Sequence, residues 1–312
     1  MAVDSEPAAP LMHTSKIRFS QETAEREKIC YIVKMKIRTR FFLTAVVLFF
    51  SFFIPSWGQS RKSAQSREPV ASDFISVPLC PSDTGLPGDT HQIVFYEGFS
   101  LCYRESYEQA EWVSYFLTRE KLDGTAMRAD NFRYDPNIDT GSAVPGDYRG
   151  SGYDRGHLAP AADMVFSEQV MGESFFMSNM SPQDPSFNRG IWNRLEALVR
   201  RWALTLGSLY VVTGPVLERE CYPVIGDNEI AVPEYFYKVL LHYDPGETWG
   251  IGFIIPNRKC TVSSSAELLE TFAVTIDEVE ERTGIDFFFL LDEAIQAGFE
   301  GEWDAAFWLA LP

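Results

Sequence analysis

The sequence has few histidines, few cysteines and a deficit of positive charge. Only four histidines occur in 312 residues, so few imidazole groups are available as bases near neutral pH. The five cysteines include no Cys-x-x-Cys pair, which argues against a zinc site on cysteine. Acidic residues outnumber basic ones 44 to 27, for a net charge of −17. That balance argues against binding of nucleic acid through a broad basic surface, but not against an enzyme that meets phosphate inside a metal-bearing cleft.

The N-terminal part contains the longest apolar run. Residues 41–54 are 14 uncharged residues, fewer than the roughly 20 that span a bilayer, and four basic residues stand in the stretch before them. This pattern is typical of a signal peptide, which we place at residues 35–58. We therefore expect export to the periplasm or the medium, with no stable membrane partner after cleavage. If the signal is not cleaved, we expect a membrane anchor.

Met35 begins a segment that reads as a complete signal sequence by itself, so residues 1–34 are a doubtful N-terminal extension. A mitochondrial targeting segment is the competing interpretation of residues 1–58. The acidic residues and the long apolar core there are atypical of an Arg-rich amphipathic transit peptide.

Four cysteines follow residue 58, and an even number behind an export signal favours two disulfides. Of the three possible pairings, Cys80–Cys102 with Cys221–Cys260 is preferred because both bonds close local loops. Free buried thiols are the alternative.

The pattern beyond the signal predicts a linker over residues 59–74 and a catalytic domain over 75–312. Short β-rich runs with turn residues between them predict several hairpins, and three amphipathic stretches predict helices. We expect an α+β fold in one domain. The predicted strands are 92–96, 100–103, 111–118, 175–178, 209–213, 236–243 and 249–255, and the predicted helices are 189–206, 264–272 and 276–283, with a loop over 126–153.

The first chemical motif is Tyr153-Asp154-Arg155-Gly156-His157, which follows a glycine-rich stretch. Histidine acts as a general base near neutral pH, and the planar guanidinium of Arg155 suits a phosphate oxygen. We expect Gly156 to allow a sharp backbone turn that brings both side chains to one place. Taken alone, a histidine beside an arginine is usually ordinary surface chemistry.

The second motif pairs Asn188 with Glu196 at the start of the predicted helix. An amide oxygen and a carboxylate two turns apart form an oxygen-rich edge of the kind that suits Mg²⁺. A helix-capping role is the alternative for Asn188. For Glu196 the alternative is an ordinary solvated helix residue, with Arg200 at the i+4 pairing distance.

Together the two motifs resemble the DNA/RNA non-specific endonucleases of the ββα-metal (His-Me finger) class, which include bacterial secreted nucleases and mitochondrial endonuclease G. The Asp-Arg-Gly-His element and the Asn-(seven residues)-Glu helix, with Trp192 in between, match that family. Three further stretches resemble it in the same order, namely 132–136, 178–183 and 274–288. The resemblance spans about residues 90–295 and implies a ββα-metal fold with a central antiparallel sheet flanked by helices.

The resemblance also implies roles. His157 would be the general base, Asn188 the only direct protein ligand of one Mg²⁺ (with Mn²⁺ as the alternative ion), and Glu196 a holder of metal-bound waters. Arg155 and Arg133 would bind phosphate and stabilise its developing charge. Asn193 stands where some members have a second asparagine. The simpler interpretation is that Asn193 is a polar residue on the exposed face of the helix.

We also expect a local basic rim to offset the acidic net charge at the substrate: Arg149, Arg155, Arg189, Arg194, Arg200 and Arg201. The acidic stretch 277–304 is expected to lie away from the cleft.

The resulting hypothesis is an exported Mg²⁺-dependent endonuclease that acts on DNA and RNA. The sequence does not decide between a monomer and a homodimer. Two alternatives remain: a catalytically inactive domain of the same fold that binds nucleic acid or protein, and a phosphodiesterase of small or lipid phosphodiesters.

Overall fold

The structure, a computed structural model, describes residues 77–78, 90–219, 221–244 and 246–312, all within the compact unit Ser66–Pro312. The predicted extension, signal peptide and linker (1–34, 35–58 and 59–74) lie outside the described residues and stay predictions. Within the described ranges, no helix is long and apolar enough to cross a membrane.

The described strands, in chain order, are β1 (His91–Phe95), β2 (Ser100–Arg104), β3 (Gln109–Thr118), β4 (Asp154–His157), β5 (Met180–Gln183), β6 (Ser208–Pro215), β7 (Val224–Ile225), β8 (Ile230–Ala231), β9 (Tyr235–Asp244), β10 (Glu247–Pro256) and β11 (Ala273–Val274). The α-helices are α1 (Arg119–Leu122), α2 (Glu168–Glu173), α3 (Asn193–Leu206), α4 (Ser265–Phe272), α5 (Ile276–Thr283), α6 (Glu293–Gln296) and α7 (Ala305–Ala310). Short 3₁₀ turns occur at Glu105–Tyr107, Ala161–Asp163 and Met177–Asn179, and a π-helical segment spans Phe187–Trp192.

Seven strands form one antiparallel sheet in the order β1-β2-β3-β6-β9-β10-β11. Its central strands are buried on both faces, as β6 illustrates: Leu209 and Val211 belong to one apolar cluster, Tyr210 and Val212 to the other. The first cluster includes apolar residues of α3, α4 and α7, and the second includes residues of α5. The predicted α+β fold, with a central antiparallel sheet flanked by helices, is confirmed.

The predicted strand over 175–178 is wrong. The chain there makes a single β-bridge at Phe176 and then a 3₁₀ turn, and the strand proper, β5, begins only at Met180. The side chain of Asn179 fixes this turn, because its Oδ1 accepts from Ala159 N (2.9 Å) and its Nδ2 donates to Ala159 O (3.0 Å). A short buried apolar run does not distinguish a strand from a turn of helix, which explains the error.

The preferred disulfide Cys221–Cys260 is also wrong, since both cysteines are free thiols. Cys221 follows β6 and Cys260 follows β10, and β9 lies between those two strands. Both cysteines lie in the connections beyond these strands, so closeness along the chain does not place them side by side in the fold. Cys80 lies outside the described residues, and the Cys80–Cys102 pairing stays a prediction.

Candidate active site

The two sequence motifs lie on one ββα unit. Strand β4 carries Asp154–His157 and pairs antiparallel with β5, and the chain then enters the π-helical segment and α3. Asp154 faces Gln183 in this ladder, and His157 faces Met180. The antiparallel pair therefore brings the Asp-Arg-Gly-His strand next to the start of the helix that carries Asn188 and Glu196.

Gly156 permits a close contact between two strands and does not make a turn. It lies inside extended β4, and a Cβ added to it would stand 2.1 Å from Cδ of Gln183. The expectation of a sharp backbone turn at Gly156 is thus wrong. Glycine is required because the Gln183 side chain of the paired strand rests against its backbone.

Asn188 is not the helix cap. Its backbone N–H donates to the Asp184 carbonyl (2.8 Å), and the Asp184 carboxylate accepts from the backbone N–H of Ser186 (2.7 Å) and Phe187 (3.3 Å). The capping alternative for Asn188 is excluded, because Asp184 performs that role. Asn188 lies instead in the π-helical segment, a backbone form that is frequent at functional sites.

The side chain of Asn188 is held by Asp154. Its Nδ2 donates to Asp154 Oδ2 at 2.9 Å, and Arg189 donates to the same carboxylate through Nε (2.8 Å) and Nη2 (2.6 Å). Hydrogen bonds from Arg189 and Asn188 keep the pKa of Asp154 below its usual range despite partial burial. Since the amide nitrogen is committed to Asp154, the group of Asn188 left for a ligand is the amide oxygen, a donor of the type that a hard cation such as Mg²⁺ prefers.

His157 lies half-buried between aromatic rings. Its ring centroid is 4.9 Å from that of Phe175 and 5.7 Å from that of Phe132, and both contacts are edge-on. Burial, with the positive charges of Arg128 and Arg155, lowers the pKa of His157 to about 3. The imidazole is therefore neutral at physiological pH. Its Nε2 is buried and has no hydrogen-bond partner within the described part of the chain.

A cleft of about 420 Å³ opens beside this unit, lined by Phe132, Pro145, Tyr148, Arg149, Tyr153, Asp154, Arg155 and Asn188. The guanidinium carbon of Arg155 stands 3.9 Å from the centroid of the Phe132 ring. The cleft thus joins the cation of Arg155 with the Asn188 amide, and both belong to the predicted site.

Glu196 is placed one helical turn beyond Trp192, against a buried charge network. Lys238 on β9 is fully buried, and its Nζ lies 4.8 Å above the Trp192 ring. Burial raises the pKa of Glu196 and lowers the pKa of Lys238, and the opposite charge of each opposes the shift of the other. Glu196 is therefore not an ordinary solvated helix residue.

Arg200, the i+4 neighbour of Glu196, is engaged elsewhere. Its Nη1 donates to Asp163 Oδ1 at 2.8 Å, and Asp163 also accepts from the hydroxyl of Tyr115 at 2.9 Å. The charges of Asp163 and Arg200 act on both Glu196 and Lys238. Among the described residues, the ion pair of Arg200 is with Asp163 and not with Glu196.

The structure distributes the predicted arginines over different contacts. Arg133 does not line the cleft: its Nη1 donates to the Gly172 carbonyl (2.7 Å), and its guanidinium lies 4.1 Å from the Phe176 centroid. Of the expected rim, Arg149 and Arg155 line the cleft, while the others bond to neighbouring groups. Those partners are Asp154 for Arg189, the Val262 carbonyl for Arg194, Asp163 for Arg200 and Ser265 for Arg201.

Sequence reasoning missed Arg128 and Lys238. Arg128 packs 4.9 Å from the centroid of Phe175, pairs with Asp130 at 2.7 Å, and its charge acts on both His157 and Glu196. It falls in the predicted loop over 126–153, where nothing distinguished it from other loop arginines. The one signal for Lys238 was a single cation inside an otherwise apolar strand.

The acidic stretch 277–304 contributes no residue to the lining of the cleft, as expected. Within the described ranges, groups of three close His, Cys, Asp or Glu ligand atoms occur at His91, Cys102 and Glu111 and at Asp277, Glu280 and Glu300, and neither group lies at the cleft. The side-chain oxygens that the cleft lining offers a cation include those of Asn188 and Asp154.

Comparison with known proteins agrees with this geometry. A family model described as DNA/RNA non-specific endonuclease matches residues 82–294. The mitochondrial endonuclease G of Homo sapiens is 37% identical over 215 residues, 65% of this chain and 71% of that protein. The mitochondrial nuclease EXOG of Danio rerio is 35% identical over 218 residues, which cover 65% of this chain but only 63% of the relative.

A solved structure of a complex of EndoG with EndoGI, described as showing the mechanism of EndoG inhibition, superposes with a TM-score of 0.59 at 31% identity. The superposition covers 66% of this chain and 89% of that one. The family model, the named relatives and the fold agree. The chain belongs to the family of DNA/RNA non-specific endonucleases.

Proposed function

We propose that this protein is a Mg²⁺-dependent endonuclease that hydrolyses phosphodiester bonds of both DNA and RNA without selecting the sugar. The observation that carries the proposal is the pairing of a neutral His157, whose Nε2 has no partner within the described chain, with an Asn188 amide that Asp154 orients. Both lie on one ββα unit beside a cleft lined by Arg155. A base, an oxygen ligand and a phosphate-binding cation are the groups that phosphodiester hydrolysis requires.

In this mechanism His157 accepts a proton from the attacking water as the water oxygen bonds to phosphorus. The bond from phosphorus to the 3′-oxygen breaks, so the products carry 5′-phosphates. Arg155 binds the phosphate, and Arg128 adds positive charge beside the base. Asn188 would hold the ion and Glu196 its waters, with Mn²⁺ as an alternative to Mg²⁺. When bound, the ion supplies positive charge that stabilises the leaving oxygen.

The test is cleavage of supercoiled plasmid and of RNA in Mg²⁺ and in EDTA. We expect Mg²⁺-dependent cutting of both polymers, and His157→Ala should lower the rate by about 10²–10⁴-fold, the usual contribution of a general base. His242→Gln is the matched control, because His242 lies buried on β9, with Nδ1 3.2 Å from the Ser208 carbonyl, and is not part of the ββα unit. Absence of cutting by the folded, Mg²⁺-loaded protein would contradict the proposal. Cutting that survives His157→Ala would preserve the reaction and remove the assigned base.

The same assay separates the alternatives. An inactive binding domain would retain DNA in a gel-shift experiment without cutting it. A phosphodiesterase of small substrates would hydrolyse bis-p-nitrophenyl phosphate and leave the plasmid intact.

We also propose export, supported by the uncharged 14-residue run 41–54 behind a basic stretch. The relatives from Homo sapiens and Danio rerio are named as mitochondrial, so the two destinations compete directly. N-terminal sequencing of the protein recovered from the producing cells tests this. A mature N-terminus at Gln59 in the exported fraction would support cleavage and export, and recovery from mitochondria would contradict it.

A further inference from the structure

An acidic cluster lies outside the cleft, at the start of α5 and in the chain after α6. Asp277, Glu280 and Glu300 each place a carboxylate oxygen within 4.8 Å of the other two. The backbone N–H of Asp277 donates to the Glu300 carbonyl at 3.2 Å, which fixes the two segments against each other. The cluster belongs to the α5 side of the sheet, where Ile276 and Phe299 share an apolar cluster.

Glu300 distinguishes this cluster from an ordinary acidic surface. It is only 9% exposed, and its Oε1 is buried with no hydrogen-bond partner within the described part of the chain. A buried carboxylate oxygen without a partner is costly, so some group of the functional protein is expected to satisfy it.

Within the described part of the chain, the neighbouring charges that act on Glu300 are carboxylates. Burial, together with the charges of Glu280, Asp277 and Asp286, raises the pKa of Glu300 to about 8. The Asp277 carboxylate also lies close to the backbone of Gly301, since a Cβ added to Gly301 would stand 3.3 Å from Oδ2 of Asp277. Three carboxylates that converge in this way repel one another unless a cation lies between them.

We propose that Asp277, Glu280 and Glu300 form a Ca²⁺ site that joins α5 to the C-terminal segment. Ca²⁺ binds oxygen ligands at about 2.3–2.6 Å, so oxygens on opposite sides of one ion are up to about 5 Å apart. Carboxylate oxygens that all lie within 4.8 Å of one another can share one such sphere. A set of three carboxylates suits Ca²⁺, whereas Mg²⁺ usually keeps several waters and is bound through one or two carboxylates. Water fills the remaining positions, and the role is structural because the cluster contributes nothing to the cleft lining.

The experiment measures the thermal midpoint of the full-length protein, first stripped with EGTA and then titrated with CaCl₂. It uses the Asn188→Ala background, so that the cation site proposed for the cleft does not contribute. At a Ca²⁺ concentration a hundred times its Kd, we expect the midpoint to rise by about 5–10 °C. Glu300→Gln should abolish the rise. The matched control Glu270→Gln removes the same charge from an exposed position of α4 and should keep it.

Either of two results would overturn the proposal: no Ca²⁺-dependent rise in the Asn188→Ala protein, or the same rise after Glu300→Gln. An equal rise with MgCl₂ would overturn the assignment to calcium. If Glu300→Gln does not fold, Asp277→Asn replaces it, because Asp277 is exposed and its substitution leaves the buried carboxylate in place. A rise that persists in Asp277→Asn would likewise count against the site.

Discussion

Asp154 should control the affinity of the active site for its metal through the hydrogen bond that it accepts from Asn188. Its carboxylate accepts one hydrogen bond from the Asn188 amide and two from Arg189, and its side chain is only 17% exposed. Asp154→Ala removes the acceptor that orients Asn188. The amide can then rotate, and the oxygen faces the metal for only part of the time.

The size of the effect follows from that single hydrogen bond. A hydrogen bond to a charged group contributes about 1.5–3 kcal/mol, and each 1.4 kcal/mol is a factor of ten. We therefore expect Asp154→Ala to raise the Mg²⁺ concentration for half-maximal activity by about 10- to 150-fold. Loss of a group that orients a metal ligand usually costs 10–100-fold, which is the same range.

The assay is plasmid cleavage over a Mg²⁺ titration for wild type, Asp154→Ala and Asp154→Asn. The asparagine variant keeps an oxygen that can accept from Asn188, so it should recover part of the loss. Arg189→Ala is the control: its side chain is 73% exposed, so solvent screens its ion pair with Asp154, and the Mg²⁺ dependence should stay near wild type. An unchanged Mg²⁺ midpoint in Asp154→Ala would refute the reasoning.

Three further substitutions probe the remaining contacts. Arg133→Ala should lower the thermal midpoint by several degrees, because it removes the bond to the Gly172 carbonyl; an unchanged midpoint with weaker substrate binding would favour the phosphate role instead. Lys238→Met should reduce the cleavage rate about 10–100-fold, since it removes the positive charge that acts on Glu196. The free energy of unfolding should stay equal or rise, because a buried ammonium with no hydrogen bond to the described residues is costly. A large loss of stability with full activity would contradict this. Without Ca²⁺, the stability of the wild-type protein should fall relative to that of Glu300→Gln as pH rises from about 5 to 9. The reason is that the pKa of Glu300 is raised to about 8 in the folded protein, which therefore holds a proton that the unfolded chain has released. Parallel pH profiles of the two proteins in thermal melts would refute this.

The sequence predicts the parts of this fold whose pattern repeats along the chain. The helix that carries Glu196 was predicted over 189–206 and continues to Leu206, where Gly207 ends it with a φ of +92°. The hairpin strands were also found, because short β-rich runs bounded by turn residues are visible locally. In contrast, β4 and β5 have no such pattern: one contains Gly156 and the other Pro182, and each is a strand only because the other pairs with it.

The residues of the candidate site that belong to a sequence motif could be predicted. The residues that only tertiary contacts bring to the site could not. His157 and Asn188 were found from spacing and resemblance, but the carboxylate that holds Asn188 was not assigned that role, since it lies 34 residues away. Lys238 and Arg128 approach the site from β9 and from a loop. No local pattern states that a strand lysine will be buried beside the glutamate of a helix.

The same separation explains how an acidic protein can act on a polyanion. The net charge is −17, yet Arg149 and Arg155 line the cleft, and Arg128 acts on its base. The acidic cluster of Asp277, Glu280 and Glu300 belongs to the α5 side of the sheet, while the helix of the site packs on the other side. At physiological salt, screening limits the distance over which exposed charges interact to about 8 Å. The arginines of the cleft therefore govern the approach of a phosphate, and the distant carboxylates do not. Attraction of the substrate is therefore a local property of the cleft, and the rest of the surface is free to be acidic.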